Sequence, residues 1–155
     1  MADTRYWLMK SEPDVYSFED LQRDGTTYWD GVRNYKARNL LRDEIKEGDR
    51  VLYYHSNAKP SSVVGLATVV REGYPDFTAW DPESAHPDPR SPEDNPRWFM
   101  VDIRADEPLP APVSLQDAKA NPKLAKMALV RQPRLSVQPV TEAEWKEVLR
   151  MGGMG

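Results

Sequence analysis

Residues 50–71 read RVLYYHSNAKPSSVVGLATVVR, and the fold turns on them. Residues 50–55 alternate with the period of a strand, which puts His55 on the face of Val51 and Tyr53. Residues 62–71 are β-branched and predict a second strand with Gly65 inside it. A glycine within a strand marks a bulge or a tight bend, the device that curls a sheet towards a barrel.

Working outward, residues 5–10 are an aromatic-rich strand, and Ser17 with Asp20 opens a short helix near 18–24. A loop carries Tyr28 to Gly31. From about Asn34 a helix is expected, because Ala37, Leu40, Leu41 and Ile45 share one face; Gly48-Asp49 ends it. Residues 75–96 break the pattern with six prolines, six acids and one Arg. Phe77 and Trp80 lie inside this stretch, and disordered linkers are poor in aromatics, so it reads as a long ordered excursion.

Residues 97–104 resume as a strand, with Phe99, Val101 and Ile103 on one face. Residues 109–112 read as a spacer and 114–119 as a short helix. Asn121-Pro122 starts another helix, with Asn at the N-cap and Pro at the first position. Residues 134–138 are a last strand stopped by Pro139, and Thr141 with Glu144 is a capping box for a helix to about Met151. The sum is an α+β fold: five or six strands in a small barrel or curled sheet, with several short helices, in a single domain over residues 1–155.

The 155 residues contain no cysteine, which excludes disulfides, thiolate metal sites and cysteine nucleophiles. The formal charge of −4 argues against a generic, surface-wide nucleic-acid binder. That excess is local: residues 75–96 carry −5, and the rest of the chain sums to +1. Residues 33–42 carry +4 and residues 118–141 carry +5, each without an acid, which leaves room for a basic rim around one pocket. No apolar run approaches the ~20 residues of a membrane span, and no secretory leader is visible, so a cytoplasmic location is expected.

Signatures of hydrolases, zinc peptidases, P-loops and dinucleotide sites are missing. There are two histidines. His55 reads first as structural, with a general-base role beside Ser56 as an alternative; no ligand spacing supports a metal role for His55 and His86. Residues 29–35, Trp-Asp-Gly-Val-Arg-Asn-Tyr, place aromatics, an acid, an amide and Arg33 ahead of a helix whose start suits a phosphate. Lys36, Arg38 and Arg42 follow as candidate phosphate contacts, set against a plain solvated helix face. The 15 aromatics include several next to polar residues, as in Lys10-Ser11, Trp29-Asp30 and Tyr54-His55-Ser56-Asn57, which suits a flat nucleobase or ordinary core packing.

Together these segments resemble the EVE domain of the PUA-like superfamily. The resemblance rests on residues 6–13 (YWLMKSEP), 29–35 (WDGVRNY), Tyr54-His55-Ser56-Asn57, 93–96 (EDNP), Trp98 to Asp102 and 134–139 (RLSVQP), in family order over nearly the whole chain. It implies a PUA-type curled barrel that binds a modified nucleobase, chiefly modified cytosine, without catalysis, metal or cofactor. The pocket it implies draws on Lys10, Ser11, Trp29, Val32, Arg33, Asn34, Tyr35, Tyr54, His55, Ser56, Arg134, Leu135 and Ser136. Within it Trp29 would stack, Asn34 and Ser56 would read the base edge, and Lys10, Arg33 and Arg38 would hold phosphates. The expected partner is DNA or RNA carrying a modified base, the expected state a monomer. An RNA-binding module, or an enzyme on a nucleotide using His55, stays open as an alternative.

Overall fold

The computed structural model describes residues 4–154. Its six strands are β1 (Tyr6–Ser11), β2 (Thr26–Tyr28), β3 (Arg50–His55), β4 (Ser62–Pro75), β5 (Phe99–Ser114) and β6 (Val137–Val140). They form one mixed sheet in the order β2-β5-β4-β3-β1-β6. β1 runs parallel to β3, and every other neighbouring pair is antiparallel. The α+β class and the six strands agree with a PUA-like fold. The hydrogen-bonded ladder stays open, because its two end strands β2 and β6 do not pair with each other.

The opening stretch behaves as its pattern dictates. β3 pairs with β4 from Arg50↔Thr68 to Tyr53↔Gly65, and the register then slips so that Tyr54 faces Val63. The bulge expected at Gly65 is therefore present. The residue is glycine because of what lies above the sheet: a Cβ at position 65 would meet the Phe18 ring at 2.5–2.6 Å. Alternation also splits the core in two. Trp7, Met9, Val51, Tyr53, Val101 and Ile103 pack on one face with Phe18, Leu21 and Leu41, whereas Leu8, Leu52, Tyr54, Val63 and Leu66 pack on the other with Trp145 and Val148.

Helix α1 (Phe18–Asp24) has the capping box read at Ser17 and Asp20, and α5 (Glu142–Met151) has the one at Thr141 and Glu144. The helix expected from Asn34 is two pieces: α2 (Tyr35–Asn39) and a π-helical stretch, Leu40–Glu44. Its apolar face is as expected, with Ala37, Leu41 and Ile45 fully buried. Two further helices are α3 (Leu115–Ala120) and α4 (Ala128–Arg131); the start at Asn121-Pro122 is a 3-10 turn, Pro122–Leu124, capped by the Asn121 side chain.

Three expectations are corrected. The spacer at 109–112 lies inside β5, which leaves β4 after Pro108↔Gly65 and rejoins it at Val113↔Val63. Pro110 and Pro112, with no N–H to donate, fall in the unpaired part. Pro139 does not stop the last strand, since β6 is an edge strand and tolerates it opposite Trp7. The loop before Trp29 holds β2, a three-residue edge strand opposite Asp102 to Arg104, too short to show a period.

Candidate functional site

The segment that breaks the sequence pattern builds part of the site. Asp76 is buried at the base of the 3-10 turn Phe77–Trp80 and accepts from the Thr78 N–H, the Gly31 N–H and Nη1 of Arg33. Burial alone would raise the Asp76 carboxyl; the bonds from Thr78, Gly31 and Arg33, with the guanidinium charge, outweigh it and hold the group below the usual carboxylate range. Nη2 of Arg33 donates to the His86 carbonyl at 2.6 Å. The middle of the segment is tied by the Trp98 indole, which donates to Asp88 at 2.6 Å.

These ties lay the segment against residues 29–33. Gly31 has φ +80, and a Cβ there would meet the His86 ring at 2.6–2.9 Å. Only glycine suits both the left-handed backbone and the covering imidazole. His86 Nε2 lies 2.7 Å from Oδ2 of Asp30, so the acid and the histidine orient each other.

A cavity of about 620 Å³ opens between this arrangement, the C-terminal end of β1 and β2. Its walls are Lys10 and Ser11 of β1, Val15 and Tyr16 before α1, Asp24, Thr27 and Tyr28 around β2, Trp29 to Arg33, His86 and Ser136. Trp29 stands edge-on to Tyr53 at 5.5 Å, and the Tyr53 hydroxyl donates to the Tyr16 carbonyl at 2.7 Å, so the aromatic wall is braced from the core. Tyr16 in turn donates to Asp24 at 2.8 Å. Lys10 Nζ donates to the Pro133 carbonyl at 2.8 Å, and partial burial pulls its pKa down.

Of the residues expected in a pocket, Lys10, Ser11, Trp29, Val32, Arg33 and Ser136 converge here. Asn34, Arg134 and Leu135 line a neighbouring groove of about 340 Å³ with Lys36, Gln132 and Pro133. Tyr35 stacks on Trp98 at 4.9 Å. Tyr54 belongs to the core on the opposite sheet face, and Ser56 joins the Ser11 carbonyl through its backbone N–H.

Several roles differ from those expected. Asn34 Oδ1 caps α2 by accepting the Ala37 N–H at 3.0 Å, so that oxygen is not free to read a base edge. This cap, and the shortness of α2, also leave no helix start for a phosphate. Arg33 neutralises buried Asp76 rather than facing a phosphate. Arg42 pairs with Asp43 at 2.7 Å. Arg38 donates to the Arg97 carbonyl and lies over Tyr35. His55 is no free base: its Nε2 accepts the Phe18 N–H at 3.0 Å, and burial lowers its pKa.

Tyr16, Tyr28, Asp24 and His86 were missed as pocket residues, and Asp30 was read only as a polar neighbour of Trp29. For His86 the signal was the density of prolines and aromatics in residues 75–96, which called for an ordered segment but not for its docking site. Among the described residues no group of three His, Asp or Glu is placed to hold a metal ion, and no helix is long and apolar enough to cross a membrane.

The family model of the EVE domain matches residues 5–151. The chain belongs to the EVE domain family. Human thymocyte nuclear protein 1 is 41% identical over 165 residues, which cover 94% of this chain and 73% of the human protein. A hypothetical protein from Leishmania major superposes on this EVE domain with a TM-score of 0.93 at 47% identity, covering 97% of this chain and 96% of the other. Human THYN1 protein in complex with 5-methylcytosine containing DNA superposes with a TM-score of 0.91 at 40% identity, covering 96% of this chain and 98% of the human one. The cytoplasmic location expected from the sequence thus stands beside a relative named as nuclear.

Proposed function

We propose that this EVE domain is a non-catalytic reader of a modified cytosine in DNA, and that the base enters the cavity beside Trp29. The observation that carries the reading is the cavity: about 620 Å³, with aromatic walls and both donors and acceptors at its rim, in a fold shared with a protein bound to 5-methylcytosine DNA. Such a volume lies within the range of small-ligand sites, about 300–1,000 Å³. Tyr16, Tyr28 and Trp29 offer flat apolar surface to a base, and Val15 and Val32 offer aliphatic surface to a methyl group. Cytosine presents an exocyclic amine, and carboxylates accept from it; Asp30 is the acceptor here, since both oxygens of Asp24 already accept from Arg23. His86 orients Asp30, and Arg23 and Tyr16 hold Asp24.

The Asp30 carboxylate repels a phosphate, so the backbone belongs on the other side. Lys10, Lys36 and Arg134 gather there around the loop Gln132 to Arg134, and none of the three is ion-paired among the described residues. Gln138 shapes that loop by donating to the Gln132 and Leu135 carbonyls at 2.9 Å. The absence of catalysis is supported by His55, whose acceptor nitrogen is occupied by the Phe18 N–H.

The test is fluorescence anisotropy at fixed salt with single-stranded DNA carrying one cytosine or one 5-methylcytosine in the same sequence. The modified strand binds more tightly, and Asp30→Asn weakens binding by about tenfold, the scale of one base-edge contact. Equal affinity for the two strands overturns the reading. Tighter binding of the matching RNA reassigns the partner, and a new mass after long incubation overturns the non-catalytic role.

A further inference from the structure

Among the described residues four large hydrophobic side chains are exposed: Val15, Tyr28, Tyr35 and Phe77. Tyr35 already has a partner, since Trp98 stacks on it. Tyr28 and Phe77 have only each other, with ring centroids 5.2 Å apart and planes tilted by 59°. They are 45% and 46% exposed. Contiguous exposed aromatic surface on a soluble chain marks a binding site more often than chance exposure does.

The position of the two rings says what they bind. Tyr28 is itself a wall of the cavity, so the pair continues the proposed base pocket outward. Phe77 is held out of the core by its neighbours: Asp76 and Thr78 on either side are buried and bonded to each other. Asp76 also carries the Gly31 and Arg33 bonds that build the cavity, so one frame sets both the pocket and the outer ring. The charges nearby disfavour a phosphate. Asp102 lies opposite Tyr28 in the ladder and accepts from the Tyr74 hydroxyl, and Asp24 and Asp30 line the adjoining cavity. Of the cations on this side, Arg33 is committed to Asp76, Arg23 pairs with Asp20 and Asp24, and Arg71, across Asp102 from Tyr28, lies over the Tyr74 ring. What fits exposed, uncharged rings beside a base pocket, with the cations around them already engaged, is the flat face of a second base.

We propose that Tyr28 and Phe77 form a stacking shelf for the nucleotide adjacent to the modified cytosine, so that the protein holds two consecutive bases, one in the cavity and one on the shelf. This rests on the pocket reading above. Stacking is blind to base identity, because every base has a π face, so the shelf adds affinity without adding preference for the modification.

The experiment is a double-mutant cycle by anisotropy. The strands carry one 5-methylcytosine or cytosine, and the nucleotide on its 5′ or 3′ side is either intact or abasic. Phe77→Ala lowers affinity for intact modified and unmodified strands by the same factor, about 5- to 150-fold, the range of base–aromatic stacking. Removing one neighbouring base costs the wild type the same factor and costs Phe77→Ala nothing. Phe77→Trp restores binding. The shelf is overturned if Phe77→Ala leaves intact strands unaffected, or weakens intact and abasic strands equally. A wild type that does not distinguish 5-methylcytosine from cytosine overturns the pocket reading instead, and the cycle with the neighbouring base still reads the shelf.

Discussion

At the scale of single residues, the two histidines show how little a residue type says before its neighbours are known. His55 sits in a sequence that invites a catalytic role, yet it serves the backbone of α1, accepting the Phe18 N–H through Nε2. A protonated ring cannot accept that bond, and burial already holds its pKa below the ordinary 6.5. The unfolded chain therefore takes up the proton first. The stabilising contribution is complete above about pH 6.5 and is lost as pH falls towards the lower folded value. The melting temperature, followed by calorimetry from pH 7.5 to pH 5.0, should drop on acidification, and His55→Gln should flatten that slope. An unchanged slope would mean that the Phe18 bond does not depend on His55 charge. His86, with no motif around it, is the histidine that reaches the cavity, through Asp30 and over Gly31.

At the scale of elements, strands and caps were legible because each is a local pattern. The alternation of β3, the glycine of β4 and the two capping boxes needed no knowledge of what lay across the sheet. Residues 75–96 were legible only as an anomaly. Their fold depends on Asp76, which neutralises Arg33 and binds Gly31, residues more than forty positions away in the chain. Asp76→Ala would leave Arg33 unpaired and three donors unsatisfied. It should cost about 3–5 kcal/mol in urea denaturation, the penalty for breaking a buried ion pair. A loss below 1 kcal/mol would show that the segment is held mainly by its other bonds, such as that between Trp98 and Asp88.

At the scale of the whole molecule, the charge of −4 conceals a division. The acidic segment wraps the side of the cavity that carries Asp30 and His86, while Lys10, Lys36 and Arg134 gather on the opposite side. Binding should weaken as salt rises. Lys36→Ala and Arg134→Ala should each lower the slope of log K against log salt by about 0.7, the value per phosphate on a single strand, and weaken modified and unmodified strands alike. Arg42→Ala should leave the slope unchanged, because Asp43 already neutralises that charge. A slope unmoved by either of the first two variants would remove the phosphate side from this face. The sequence by itself determined the α+β class, the bulge at Gly65, the helix caps and the family, since each is written in short-range spacing or in residues that keep family order. Only the tertiary structure decided what each polar group is used for. Asn34 and His55 satisfy backbone groups and Arg33 a buried charge at the cavity wall, whereas Asp30, Tyr28 and His86 line the cavity unannounced by any motif role. The physical reason is that a buried donor, acceptor or charge must find a partner, and that partner is chosen by distance in space rather than along the chain.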